Sequence, residues 1–299
     1  MSKLSFSGHE SFVCKQFWLK KGVDFVNRGN SFSSEVAVVD LGVGKNMVRA
    51  IGFWLKAFGL VGEDGRINPF GKYIFGNDQL GVEGRDPFLE SVGTIWLLHY
   101  SLVTTSRASI YDIVFNQYRR YRPEFTLDQF EKYIIRYCKE EGVKQSPATL
   151  KRDIRVFLNS YLAPRVGKRT DLEEAFSGLL YELQLLDEVE KVDVVRNQKK
   201  KYYSLNAGNR RNLPIEIFFY SIINNKNYSQ SISFQELHIG RNSPGSVFAL
   251  DQESLFNLIQ DCTTRFEGVT YSQTAGNRVL QVQKSHFTNP QNILDAYYS

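Results

Sequence analysis

Residues 41–68 read LGVGKNMVRAIGFWLKAFGLVGEDGRIN, and this stretch decides the fold. Met47, Val48, Ile51, Leu55 and Phe58 recur at helical spacing. Residues 45–58 are therefore predicted as one amphipathic helix with a single apolar stripe. Gly59 follows as its C-terminal stop. Lys45, Arg49, Phe53 and Lys56 fall on another face. Upstream, Ser34–Val39 leads into the tight Leu41-Gly42-Val43-Gly44 turn. Downstream, Leu60-Val61, a Glu63-Asp64-Gly65 turn and Arg66-Ile67-Asn68 read as a short hairpin. Helix, turn, second helix, hairpin is the order of a winged helix-turn-helix, whose second helix enters the DNA major groove. Lys45, Asn46, Arg49 and Lys56 are its expected DNA contacts; the alternative is a basic face that is merely solvated. Gly42-Val43-Gly44-Lys45-Asn46 fails as a phosphate loop. Val39 and Asn46 stand where that loop needs Gly and Ser or Thr.

Two further basic elements follow. Ser146 and Pro147 are an N-cap and first-turn pair for a helix reaching Tyr161. Leu150, Ile154, Phe157 and Tyr161 line one face of it; Lys151, Arg152 and Arg155 line the other. Glu188–Leu205 reads as a hairpin, with a valine-rich strand, a polar Arg196–Lys201 turn and a returning Tyr202–Leu205. Lys199, Lys200 and Lys201 at its tip suit a wing that contacts phosphates without reading sequence. An ordinary amphipathic helix and an edge hairpin kept soluble by lysines are the alternatives.

The 299 residues hold 37 Lys+Arg and 32 Asp+Glu, for a net charge of +5. That balance permits a polyanionic partner without demanding one. The basic excess is local: residues 107–155 carry eleven basic and seven acidic groups, while 212–299 carry five and seven. Three widely spaced cysteines, Cys14, Cys138 and Cys262, exclude a Cys-x-x-Cys centre and fit a reducing, cytoplasmic setting. No run approaches the ~18 apolar residues of a membrane span, so no membrane partner is expected. Seams are expected at Gly76–Gly84, Pro164–Thr170 and Asn206–Pro214. The fold class is α+β and mostly helical. A winged-helix-like domain is expected over 1–100, a helical middle domain with a second winged-helix-like unit over 101–210, and a mixed α/β domain over 211–299.

Two polar clusters have the composition of chemistry. In Phe6-Ser7-Gly8-His9-Glu10, an imidazole beside a carboxylate suits a divalent ion or a proton relay; the alternative is that His9 and Glu10 pin the N-terminal segment by hydrogen bonds. In Asp86-Pro87-Phe88-Leu89-Glu90, both carboxylates suit the first turn of the next helix, where capping explains them without chemistry. His99 ends an apolar run and reads as a core histidine. Asp251, Glu253 and Asp261 read as a solvated face, and residues 269–283 as a hairpin.

Phe6–Glu10, Trp18–Gly22, Leu41–Val48, Asp86–Glu90 and Thr94–His99 together resemble the SspB-like proteins of bacterial DNA phosphorothioation gene clusters. The resemblance is specific over about residues 1–100 and looser beyond. It implies a protein that binds double-stranded DNA and nicks one strand, alongside cluster proteins such as a cysteine desulfurase, with a homodimer left open. His9, Glu10, Asp86 and Glu90 are the catalytic candidates, with Glu10 and Asp86 holding Mg²⁺ or Mn²⁺. They are chosen because they lie in those motifs and carry metal-ligand chemistry. Two readings stand: a metal-dependent nicking endonuclease of an antiviral defence system, or a non-catalytic winged-helix DNA adaptor or transcriptional regulator. A scaffold for protein partners alone is a third.

Overall fold

The computed structural model describes residues 4–163, 178–193, 198–274 and 276–299. In chain order the helices are α1 (Gln16–Asn27), α2 (Ala37–Leu41), α3 (Lys45–Ala57), α4 (Pro69–Phe75), α5 (Val92–Thr105), α6 (Ser109–Ile113), α7 (Arg119–Tyr121), α8 (Leu127–Glu140), α9 (Pro147–Tyr161), α10 (Ile215–Ile223), α11 (Phe234–Ile239), α12 (Pro244–Val247), α13 (Gln252–Arg265) and α14 (Gln291–Tyr298). The strands are β1 (Glu124–Phe125), β2 (Asp187–Asp193), β3 (Gln198–Ser204), β4 (Ser231–Ser233), β5 (Val269–Thr274) and β6 (Asn277–Val282). With 53% helix and two small antiparallel sheets, the fold is the mostly helical α+β class expected.

The chain divides into unit 1, residues 1–113 and 122–205, and unit 2, residues 114–121 and 206–299. Residues 1–113 and 122–205 share one unit, while 114–121 of the expected middle domain lie with unit 2. The reason is a common core. α5 is buried along nearly its whole length, so it needs neighbours on every side. His99 Nδ1 meets the Tyr161 hydroxyl at 2.9 Å, and the Tyr111 hydroxyl meets Ser160 Oγ at 2.8 Å, tying α5 and α6 to α9. His99 is thus the core histidine expected. Gly76–Gly84 is also no seam. A Cβ on Gly84 would lie 2.5 Å from Gly76 N, so two glycines are needed for this close approach. The Pro164–Thr170 seam and the Arg196-Asn197 part of the hairpin turn lie outside the described residues.

Unit 1 begins with α1, α2, the Gly42 turn at φ 60°, and α3; Val61 and Ile67 then pair as an isolated bridge. Later, β1 leads through α8 and α9 to the β2–β3 hairpin, and the sheet order is β1-β3-β2. α8 opens with a capping box between Thr126 and Gln129. α9 opens on Ser146 Oγ, which accepts from Thr149 N at 3.1 Å. Unit 2 repeats this plan. β4 leads through α11, α12 and α13 to the β5–β6 hairpin, with order β4-β6-β5. Asp251 caps α13 by accepting from Ser254 N at 2.7 Å, so it is not simply a solvated carboxylate. All three cysteines are free and buried. No helix among the described residues is long and apolar enough to cross a membrane.

Candidate nucleic-acid interface

Two helices of unit 1 present basic side chains. On α3, Lys45, Asn46 and Arg49 are exposed on the first turns. Lys56 lies about 16 Å further along the helix and donates to Glu63 O at 3.3 Å, so it belongs to the following turn more than to this patch. On α9, Lys151, Arg152 and Arg155 are exposed, while Leu150, Ile154, Phe157 and Tyr161 are buried. Lys151 pairs with Glu131 at 3.1 Å. Among the described residues, Arg152 and Arg155 form no ion pair.

The Ser7–Ser11 loop connects these helices. Ser7, Gly8, Glu10 and Ser11 have φ of 71°, 101°, 51° and 79°, a run of left-handed backbone that costs about 1–3 kcal/mol per non-glycine residue. Gly8 is required here: a Cβ would meet Phe53 Cδ2 at 2.6 Å. Phe53, expected among the basic residues of the exposed face, instead packs on Gly8 and edge-on to His9 at 5.6 Å. The His9 ring stacks on Trp54 at 6.0 Å. Trp54 Nε1 donates to Phe12 O at 3.1 Å. On the α9 side, Ser7 N donates to both Asp153 oxygens, at 3.0 and 2.9 Å. His9 Nε2 faces Asp153 Oδ1 at 3.3 Å, with both side chains under 5% exposed. Ser11 N donates to His9 Nδ1 at 3.2 Å. Nδ1 is therefore the acceptor here, and the buried Nε2 faces Asp153 without a hydrogen bond among the described residues. Glu10 reaches Arg49 at 3.6 Å.

His9 thus packs between Trp54 of α3 and Asp153 of α9, while Glu10 pairs with Arg49 of α3. Asp86 is committed elsewhere. It accepts from Glu90 N at 2.9 Å and from Ser91 N at 3.0 Å, closing a turn ahead of α5. The helix begins only at Val92, later than expected, because Leu89 takes φ 57° and breaks the run. Glu90 is exposed outside the helix. Among the described residues no group of three or more His, Cys, Asp or Glu side chains is placed to hold a metal ion. The His9/Glu10 and Asp86/Glu90 pairs therefore belong to no such group.

Sequence reasoning missed Asp153, the centre of the loop's anchorage. A signal existed: an acid beside Ile154, three positions after Leu150, on the helix's apolar side. The hairpin differs from expectation in charge. Lys201 pairs with Glu188 at 2.6 Å and Lys199 with Glu190 at 3.9 Å, because the register puts Lys201 opposite Glu190 and Lys199 opposite Val192, each one diagonal step from the acid it meets. Lys200 is exposed and crosses from Lys191.

A family profile described as a protein of unknown function (DUF4007) matches residues 6–298. No curated protein matches significantly. Two solved structures share the fold: SspB, with TM-score 0.80, and magnesium ion-bound SspB, with TM-score 0.78. Each is 24% identical over 99% of this chain and 88% of its own. The fold is SspB-like.

Proposed function

The chain belongs to the DUF4007 family, and from that membership and the SspB-like fold we propose that it is a DNA-binding protein of a bacterial DNA phosphorothioation system, contacting duplex DNA through α3 and α9 of unit 1. The observation that carries this reading is the strained Ser7–Ser11 loop. It fixes two helices whose exposed side chains include Lys45, Asn46, Arg49, Arg152 and Arg155. Strain of this kind persists where the surroundings over-determine it, commonly at functional sites. In this reading both helix-turn-helix arrangements of unit 1 act as winged helices, with the β2–β3 hairpin as a wing. Cluster proteins such as a cysteine desulfurase are its partners. The test is fluorescence anisotropy with a labelled duplex. Lys45→Glu with Arg49→Glu should weaken binding by about 10- to 100-fold, as loss of several phosphate contacts requires. Unchanged affinity in a folded variant refutes the assignment.

A second reading, divalent-metal-dependent nicking, is favoured by one observation: a structural neighbour is magnesium ion-bound SspB. Among the described residues no three His, Cys, Asp or Glu side chains gather to hold a metal ion, so no step is derived through His9, Glu10, Asp86 and Glu90. Relaxation of supercoiled plasmid with Mn²⁺ and its loss in EDTA support nicking; no relaxation in either supports the adaptor. If Glu10→Gln and Asp86→Asn both nick normally, the ion is held elsewhere.

A further inference from the structure

A groove of about 960 Å³ opens in unit 1 beside the basic face of α9, lined in part by Ser11, Lys15, Met47, Arg155, Asn159 and Tyr181, with Asp187 also on its wall. Its volume is at the upper end of the range that holds one small ligand, roughly 300–1,000 Å³, and too small for a duplex. The lining carries charges of both signs. Among the described residues Arg155 and Asp187 form no ion pair, and the Lys15 ammonium lies over the Trp18 ring at 5.8 Å. Tyr181 leaves 37% of its surface exposed on a short 3-10 helix, Leu179–Leu183. Ser11, Arg155 and Asn159 also line a neighbouring cavity of about 450 Å³ that includes Lys151 and Arg152. The groove is therefore continuous with the face proposed to meet DNA.

From this juxtaposition we infer that the groove receives a single unpaired nucleotide, its base on Tyr181 and its phosphate at Lys15 and Arg155. The chemistry is that of single-strand binding, where a basic track follows the backbone and an aromatic ring takes the base. Asp187 is an acceptor for a base amino group, and the Asn159 amide serves either edge. The nucleotide has two sources, a displaced residue of the bound strand or a free mononucleotide. The inference deepens the DNA-binding reading but does not depend on it for the free source.

The experiment titrates the full chain with a perfect duplex, the same duplex carrying one bulged deoxyadenosine, and free dAMP. Stacking is worth about 1–3 kcal/mol per base, so the bulged duplex should bind about 5- to 150-fold tighter than the perfect one. Tyr181→Ala and Lys15→Gln should abolish that gain and leave perfect-duplex affinity unchanged, while Tyr181→Phe keeps it. Saturable dAMP binding lost in Tyr181→Ala, without any bulge gain, supports the groove with the free pool as its source. If the perfect duplex does not bind but dAMP does, the DNA-binding reading fails and the groove stands. No bulge gain and no dAMP binding, or gains that survive both Tyr181→Ala and Lys15→Gln, overturn it.

Discussion

Units 1 and 2 build the same sheet order around the same helical plan, yet they use their arginines in opposite ways. In unit 1, Arg152 and Arg155 stand exposed on α9 with no ion pair among the described residues. In unit 2, Arg119 is buried and donates to Gly245 O at 3.0 Å; Arg120 donates to Ile239 O at 2.6 Å. Arg210 donates to Phe248 O at 3.2 Å, and Arg265 pairs with Glu216. Burial, then the charges of Arg210 and Arg120, bring the Arg119 guanidinium down to about 10, so it stays protonated at neutral pH. Burial and Arg119 also lower the His238 imidazole. These arginines tie down carbonyls and a buried carboxylate, contacts that hold unit 2 together. The sheet order is shared; the roles of these arginines are not.

The comparison breaks most severely at Asp153. Asp153→Ala leaves Ser7 N without its acceptor and His9 beside an empty space, which should cost about 2–3 kcal/mol by denaturant unfolding. Asp153→Asn keeps an acceptor for Ser7 N and should cost less. Equal, negligible losses for both would mean the loop is not anchored at α9.

Charge reversal comes next. Arg152→Glu with Arg155→Glu should weaken duplex binding by about 10- to 100-fold, because two phosphate contacts become repulsions. The matched reversal in unit 2, Arg211→Glu with Lys226→Glu on exposed residues, should change affinity less than about twofold, within the range of screened surface charges. Similar losses from both pairs would erase the distinction between the units.

The smallest effect belongs to the β2–β3 hairpin. Lys200→Ala should weaken all duplex sequences alike by about two- to threefold, since a phosphate contact carries no base information. Lys199→Ala and Lys201→Ala should do less, because Glu190 and Glu188 already occupy those ammonium groups. Sequence-dependent losses would make the hairpin a base reader.

Much of unit 1 was legible in the sequence. The apolar stripe of α3, the Ser146-Pro147 start of α9 and the 188–205 hairpin all follow from local periodicity and caps, which need no distant partner. What was illegible depends on contacts far apart in the chain. The Ser7–Asp153 bond spans 146 positions, so nothing local distinguishes a strained anchor from a metal ligand at His9. Asp86 sits before a proline and looks like an N-cap, but Leu89 at φ 57° delays the helix to Val92. In unit 2 the β4-β6-β5 order escaped notice because β4 has three residues and α12 four, too short for periodicity to register. The pairing of Lys201 with Glu188 depends on strand register, which the alternation of valines does not fix.

The most direct test of the account is the salt dependence of duplex binding, measured side by side for wild type, the Arg152→Glu/Arg155→Glu variant and the Arg211→Glu/Lys226→Glu variant. Each phosphate contact contributes a slope of about −0.9 in log affinity against log salt. The account predicts that the unit 1 variant flattens the slope by about 2 while the unit 2 variant leaves it unchanged. An unchanged slope for the unit 1 variant, or an equal flattening for the unit 2 variant, would contradict it.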